Sequence, residues 1–212
     1  MTMAVTEAIA VARSEVAKAT DATIPQYTRN LVWQALLQGR LPLVAARSRI
    51  ARLELACVRH VQHIWDATYP GDPAVEQLLQ LAEDLLAGRV ELPVQDERMS
   101  CLEAFADWTR RRYGEDINDP AKAAAHHVLT AAWRACVTAE WAVGEHDGVI
   151  FRDDPDGWRD EDDDAWDRAT DYDCACAVGG PSWEEAERID LEARRKFWTW
   201  WLDVAVPQAE QG

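Results

Sequence analysis

Apolar side chains recur at steps of three and four residues along most of this chain. The clearest stripe consists of Leu43, Ala46, Ile50, Leu53, Cys57, Val61 and Ile64. Residues at this spacing lie on one face of an α-helix, so the stripe predicts an amphipathic helix that faces a core. Extended character is confined to two short stretches, residues 89–94 and 148–151, and each is too short to build a sheet.

Proline near helix starts and glycine just past helix ends divide the chain into about eight predicted helices. Their predicted bounds are residues 3–20, 26–39, 42–65, 72–88, 96–114, 119–144, 162–178 and 182–206. The sixth is apolar on two faces, and the last has no polar side in its second half, so we expect both to be buried. The pattern predicts an all-α fold: a single domain over residues 1–212, built as a helical bundle or a short helical solenoid.

Composition indicates a folded protein of a reducing compartment. The 212 residues are 48% hydrophobic and include 11 Trp, which is enough for a sizeable core. Five cysteines at scattered positions do not form a disulfide framework. Charged residues interrupt the Ala-rich start of the chain, and no segment approaches the roughly 20 apolar residues of a membrane span. We therefore expect a cytoplasmic protein with no membrane partner.

Negative charge is concentrated in one part of the chain. Residues 145–173, here called the acidic segment, carry thirteen Asp and Glu against three Arg, in a chain whose net charge is −16. A field of this sign repels nucleic acid and anionic lipid, and it attracts basic proteins or cations. Trp158, Trp166 and Tyr172 distinguish the segment from a plain acidic tail, which has few aromatic residues. The segment is therefore predicted to be a binding surface, formed by a loop and a helix over residues 145–178.

Motifs of several enzyme classes are absent from the sequence, among them the Walker-type phosphate loop, the Gly-x-Ser-x-Gly elbow, the His-Glu-x-x-His zinc motif and the dinucleotide fingerprint. Cys57, His60 and His63 step by threes along the third predicted helix, so adjacent members are close enough to share a metal ion. We favour a buried thiol with two partly exposed histidines, because Cys57 lies on the apolar stripe and His60 does not. Cys174 and Cys176 lie among alanines, which favours core packing.

The run Asp153–Gly157 resembles part of a calcium loop, in which Asp at alternate positions collects oxygen ligands. Its register is unsuitable, because the twelfth position would be Asp163 rather than Glu. A metal-binding or enzymatic helical protein that uses the Asp cluster with His60, His63 or His146 stays open as the alternative function. Its difficulty is geometric, since acids adjacent in sequence fan outward while catalytic metal sites need converging ligands.

Three stretches together resemble the all-α immunity proteins of bacterial polymorphic toxin systems. The clearest is the closing run Ser182–Ala209, with a basic-Phe-Trp-x-Trp core, a following Leu and a terminal Val-Pro. The others are His63–Asp72, an aromatic-rich helix end with a Pro-Gly-Asp turn, and Glu161–Gly180, an acidic helix start followed by small residues and a Gly turn. The resemblance covers roughly residues 40–209. It implies a binding protein that neutralises a cognate toxin, and it implies no catalytic residue, cofactor or metal ion.

Under this interpretation the acidic segment is the predicted docking surface for a basic toxin domain. A nuclease is the favoured partner, because its own phosphate-binding groove must be positive. Two tryptophans are the predicted anchors and five aspartates the charged frame around them. The candidate toxin-binding residues are Asp154, Asp156, Trp158, Asp160, Asp163, Asp164 and Trp166.

Overall fold

The computed structural model describes residues 3–38, 43–91, 108, 112, 119–144, 170–180 and 189–211. Its helices are α1 (Val5–Lys18), α2 (Gln26–Leu37), α3 (Leu43–Thr68), α4 (Ala74–Leu86), α5 (Pro120–Val143), α6 (Thr170–Gly179), α7 (Leu191–Trp200) and α8 (Val206–Gln211). A π-helical turn, Trp201–Ala205, joins α7 to α8. The described ranges contain no strand, and the predicted all-α fold is confirmed. The single-domain organisation stays a prediction.

Two of the predicted helix starts have an aspartate whose side chain accepts from the backbone of the first turn. Asp119 accepts hydrogen bonds from the backbone N–H groups of Ala121 and Lys122, at 3.0 and 3.4 Å, directly before Pro120 opens α5. Asp72 accepts in the same way from Ala74 N, at 3.1 Å, where α4 begins. Such caps satisfy backbone donors that a helix end leaves unpaired. The predicted helix over 96–114 falls mostly outside the described residues.

The centre of the molecule is the contact between α3 and α5, which is the most extensive between any two described elements. One face of α5 is lined by small buried residues, namely Ala125, Ala131, Ala132, Ala135 and Ala139. Small side chains allow the backbones of two helices to approach closely. The other predicted apolar face of α5 is only half-buried at Trp133, Val137 and Trp141. The central position of α5 is confirmed, since it packs on α3, α4 and α6.

The closing helix departs from its prediction in two ways. Ile189 and Asp190 are not helical, so the expected continuous helix over 182–206 is interrupted, and Asp190 caps α7 by accepting from Ala193 N at 2.9 Å. The proposed cap at residue 182 lies outside the described residues. Helical structure also continues past Pro207 to Gln211. We attribute this to the π-helical turn, which widens the backbone where the proline ring would otherwise strike a carbonyl oxygen.

The large apolar residues of the closing segment differ in burial. Trp198, Trp201 and Leu202 are buried, whereas Trp200 is half-buried and Val204 is 38% exposed. The expectation that this whole stretch is buried is therefore wrong for Trp200 and Val204. In the described part of the chain, no helix combines the length and the apolar character that crossing a bilayer requires.

Arg194 fastens the closing segment to the rest of the molecule. Its guanidinium is completely buried and donates to the backbone oxygen of Asp21 and to Thr23 Oγ1, both at 3.0 Å, and to the backbone oxygen of Gly180. One side chain on α7 thus ties together the α1–α2 loop and the end of α6. Gly179 leaves room for it, because a Cβ added there would meet the Arg194 side chain and lie 2.7 Å from the Asp190 backbone oxygen.

We expect Gly179→Ala to destabilise the protein by about 1–3 kcal/mol, since the methyl group overpacks a site with a backbone oxygen on one side. Chemical denaturation measures the free energy of unfolding. Gly71→Ala is the matched control: its added Cβ has nothing within 4 Å, and only its φ of +80° opposes the change, at a cost of about 1 kcal/mol. Equal losses in the two variants would contradict the packing argument.

Candidate functional site

The predicted binding surface enters the described structure only at its carboxyl end. The candidate residues Asp154, Asp156, Trp158, Asp160, Asp163, Asp164 and Trp166 all lie outside the described residues. Residues 170–173 of the acidic segment are described, and they form the first turn of α6. Three polar side chains of this turn, Thr170, Asp171 and Asp173, are buried. The contacts of this first turn of α6 are therefore the described part of the candidate site.

Asp171 forms a buried ion pair with α2. Its Oδ1 accepts from Arg29 Nη1 at 2.7 Å, and each of the two side chains is 2% exposed. The same oxygen accepts from the backbone N–H of Tyr172 at 2.8 Å, and the Arg29 guanidinium lies 5.4 Å from the centre of the Tyr172 ring. Burial raises the pKa of the Asp171 carboxyl, while the charge of Arg29 and its hydrogen bond oppose that shift.

Asp173 is held by two side chains of α5. Arg134 Nε lies 2.9 Å from Asp173 Oδ2, and His127 Nδ1 lies 3.2 Å from Asp173 Oδ1. The Asp173 side chain is buried, whereas Arg134 and His127 are partly exposed at the edge of the contact. The carboxylates at positions 171 and 173 therefore bind α6 to two different helices.

Glu54 of α3 completes the cluster from the opposite side. Its carboxyl is buried, and Oε2 accepts from Thr170 Oγ1 at 3.0 Å. Burial raises the pKa of Glu54 to about 8; the nearby Asp171 charge adds to this shift, and hydrogen bonds from Thr138 and Thr170 reduce it. Glu54 is therefore mostly protonated at pH 7.

These contacts correct the view of the acidic segment as a uniformly exposed surface. Asp171 and Asp173 belong to the core, and their charges are paired, which leaves eleven acids between residues 145 and 167. A sequence signal for this was present: both aspartates immediately precede the small apolar run Cys174–Ala177, where an exposed surface would end. A count of charges along the sequence does not reveal that these two aspartates are buried, because it carries no information on whether a buried arginine faces a carboxylate.

The histidine and cysteine candidates that the structure describes do not converge on one point, and His146 lies outside the described residues. Cys57 is buried, and burial raises its thiol pKa well above the usual value, whereas His60 and His63 are exposed. The His60 ring instead stacks on Trp200, with ring centres 3.8 Å apart and an interplanar angle of 12°. The predicted buried thiol with two partly exposed histidines is confirmed, as is the burial of Cys174 and Cys176. Within the described ranges, no group of three or more His, Cys, Asp or Glu could hold a metal ion.

An open groove of about 550 Å³ lies between α3 and α4, and its lining includes Arg52, Arg59 and Arg89. Two of these arginines already have partners on α4. Arg59 Nη2 donates to Glu83 at 3.0 Å, and Arg89 Nε donates to Asp84 at 2.7 Å. Much of the groove's positive charge is thus compensated within the protein, and the groove does not define an anion site.

The chain is similar to a known family of proteins over most of its length. The model of the family described as immunity protein Imm5 matches residues 9–208, which is nearly the whole chain. No curated protein sequence matches the chain. The matched span includes every residue of the buried cluster described above.

We expect Arg29→Met to lower the free energy of unfolding by about 3–5 kcal/mol at pH 7, because it leaves the Asp171 carboxylate buried without its cation. Adding Asp171→Asn to that variant should recover part of the loss, since the uncompensated charge is then gone. Arg13→Met is the control: the ion pair of Arg13 with Asp203 is exposed, so its loss should cost less than about 1 kcal/mol. Urea denaturation measures these proteins together with the single Asp171→Asn variant, which completes the double-mutant cycle. Strictly additive effects of the two core substitutions would disprove the coupling.

Proposed function

The chain belongs to the Imm5 family of immunity proteins, and from this premise we propose that it binds and neutralises a cognate toxin through the acidic segment. The observation that carries the proposal is the concentration of charge: eleven acids stand between residues 145 and 167, against two Arg. The protein acts as a stoichiometric inhibitor, so its task is to bind tightly and quickly rather than to catalyse. We place it in the cytoplasm, where its toxin would act on the cell.

The partner that this charge fits is a positively charged toxin domain. A nuclease is the favoured class, because an enzyme that binds a phosphate backbone must carry a cationic groove. Complementary charge steers the encounter and can raise association from about 10⁵–10⁶ to about 10⁸–10⁹ M⁻¹s⁻¹ at low salt. Speed matters for an inhibitor that must bind before the toxin reaches its substrate.

Tight binding also requires apolar anchors inside the charged frame. Trp158 and Trp166 are the two tryptophans of the acidic segment, and tryptophan is among the residues that most often carry interface energy. We assign them as anchors. The surrounding frame consists of Asp154, Asp156, Asp160, Asp163 and Asp164.

The direct test is co-purification of the tagged protein from its own cells at low and moderate salt. We expect one stoichiometric basic protein that is toxic when expressed alone and harmless when expressed with this chain. Recovery of a stoichiometric acidic or neutral toxin would refute the charge argument and keep the immunity role. Failure of the co-expressed chain to protect cells from any bound protein would refute the immunity role in this chain.

Replacing Asp160, Asp162, Asp163 and Asp164 with Asn should slow association with the toxin by at least tenfold at low salt and flatten its salt dependence. Thermal stability should change little. The control converts four exposed acids elsewhere, Glu7, Asp66, Glu91 and Glu210, to their amides, which changes net charge equally. Stopped-flow kinetics over a salt series measures both. Equal slowing in both quadruple variants would show that total charge, and not the acidic segment, steers binding.

Trp158→Ala and Trp166→Ala should each weaken toxin binding by about 2 kcal/mol or more, mainly through faster dissociation. Trp108→Ala serves as the control, because Trp108 is a partly exposed tryptophan outside the acidic segment. Surface plasmon resonance gives the dissociation rates, and circular dichroism checks that each variant is folded. A dissociation rate unchanged in both segment variants would remove these tryptophans from the interface.

A further inference from the structure

The first turn of α6 is a junction between the acidic segment and the core. Residues 145–167 of the segment precede it directly, and α6 itself packs on α3, α5 and α7. The small residues that follow, Cys174–Ala177, are buried, so the helix sits close to its neighbours. Any contact that holds this turn also holds one end of the segment.

Three polar ties hold the turn, each to a different helix. Thr170 donates to Glu54 on α3 at 3.0 Å, Asp171 pairs with Arg29 on α2 at 2.7 Å, and Asp173 lies 2.9 Å from Arg134 on α5. Three directions of attachment determine both the position and the rotation of a short helix. A purely apolar contact between small side chains would leave the rotation of α6 poorly determined.

The Arg29–Asp171 ion pair does not maximise the stability of the fold. Arg29 Nε and Asp171 Oδ2 are buried with no hydrogen-bond partner in the described part of the chain. A buried ion pair with unsatisfied atoms contributes little net stability relative to apolar residues of the same size. Its place at the end of the proposed binding segment is explained if its task is to position that segment.

Glu54 differs from the other two carboxyls because no cation among the described residues forms an ion pair with it. The charged and titratable groups that face its surroundings are Asp171 and Cys174 from α6, Arg134 from α5 and Cys57 from its own helix. Ionised Glu54 would place a second negative charge beside Asp171 in a buried site. Its neutral form is the one compatible with a seated α6.

We propose that Arg29, Glu54 and Arg134 are positioning residues for the toxin-binding segment: they seat the first turn of α6 in the core, and Glu54 does so in its protonated form. This inference rests on the proposed function for its biological role, but the seating itself concerns this chain alone. The protonation state of Glu54 thereby controls how firmly the acidic segment is held at its carboxyl end. When Glu54 ionises, α6 loosens and the segment loses one fixed end.

The sign of the pH dependence follows from Glu54. Its pKa is about 8 when it is buried and near 4.5 when it is exposed. An opening that exposes Glu54 releases a proton between these values, so the opening constant of α6 should rise about tenfold per pH unit from pH 5.5 to 7.5 and level off above 8. Stability of the seated helix is highest at low pH within this window and falls as pH rises.

Native-state hydrogen exchange of the free protein tests the seating without any toxin. Protection factors of amides in α6 and, for comparison, in α4 are measured at pH 5.5, 6.5 and 7.5. We expect the α6 protection of the wild type to fall with pH while α4 stays nearly constant. Glu54→Gln, which keeps the shape and has no charge to gain, should abolish this fall in α6. Glu210→Gln, at an exposed position, should behave as the wild type.

Thr170→Val provides a second variant of almost unchanged volume. It removes a hydrogen bond that favours ionised Glu54, so the fall in α6 protection should extend to higher pH. An α6 protection that is independent of pH in the wild type would overturn the proposal. Equal pH dependence in α4 and α6 would also overturn it, because Glu54 would then support only the fold as a whole.

Toxin binding separates this inference from the proposed function. With the co-purified toxin, the association rate of the wild type should fall between pH 6.5 and 8 relative to that of Glu54→Gln. If exchange behaves as expected but these two rates stay equal, α6 is seated as described and does not serve the toxin surface. If no toxin binds the acidic segment, the proposed function fails while the exchange result stands.

Discussion

The seating of α6 by buried carboxyl groups is the contact on which the arrangement of the remaining elements depends. Through it α2, α3 and α5 are joined to one short helix by Arg29, Glu54 and Arg134. Such a polar cluster is costly to bury, because each group gives up water. It is tolerated here because most of its atoms find partners, and because alanine-rich surfaces on α5 and α6 bring the helices close enough for those partners to meet.

The closing segment, residues 189–211, also packs against α6. Arg194 ties α7 to the end of α6 and to the α1–α2 loop, and Trp198 and Trp201 pack edge to face with ring centres 5.6 Å apart. Trp200, the last residue of α7, stacks on the exposed His60. Arg194 thus connects the end of α6 with both the closing segment and the α1–α2 loop, so a change in the seating of α6 reaches well beyond one helix.

Under the proposed function, binding of the toxin depends both on the charge of the acidic segment and on the structure that holds one end of it. Steering needs only a dense field of one sign, which the acids of residues 145–167 provide. Specific binding needs that field held in one place, and the buried ties at residues 170–173 supply a fixed end. The described aspartates serve the second demand, because Asp171 and Asp173 are buried against Arg29 and Arg134.

The sequence by itself determined the helices and their caps, because apolar spacing, Asp119 before Pro120 and Asp72 before Pro73 act within one or two turns of chain. It also predicted the immunity family and the burial of Cys57, Cys174 and Cys176. It did not predict the non-helical Ile189–Asp190 or the partial exposure of Trp200, since these depend on what packs on each face of the closing segment. Above all, only the tertiary structure decided that Asp171 and Asp173 are core residues. The partners that make them so, Arg29 and Arg134, are far away in sequence, and proximity in space is what turns a surface charge into a buried one.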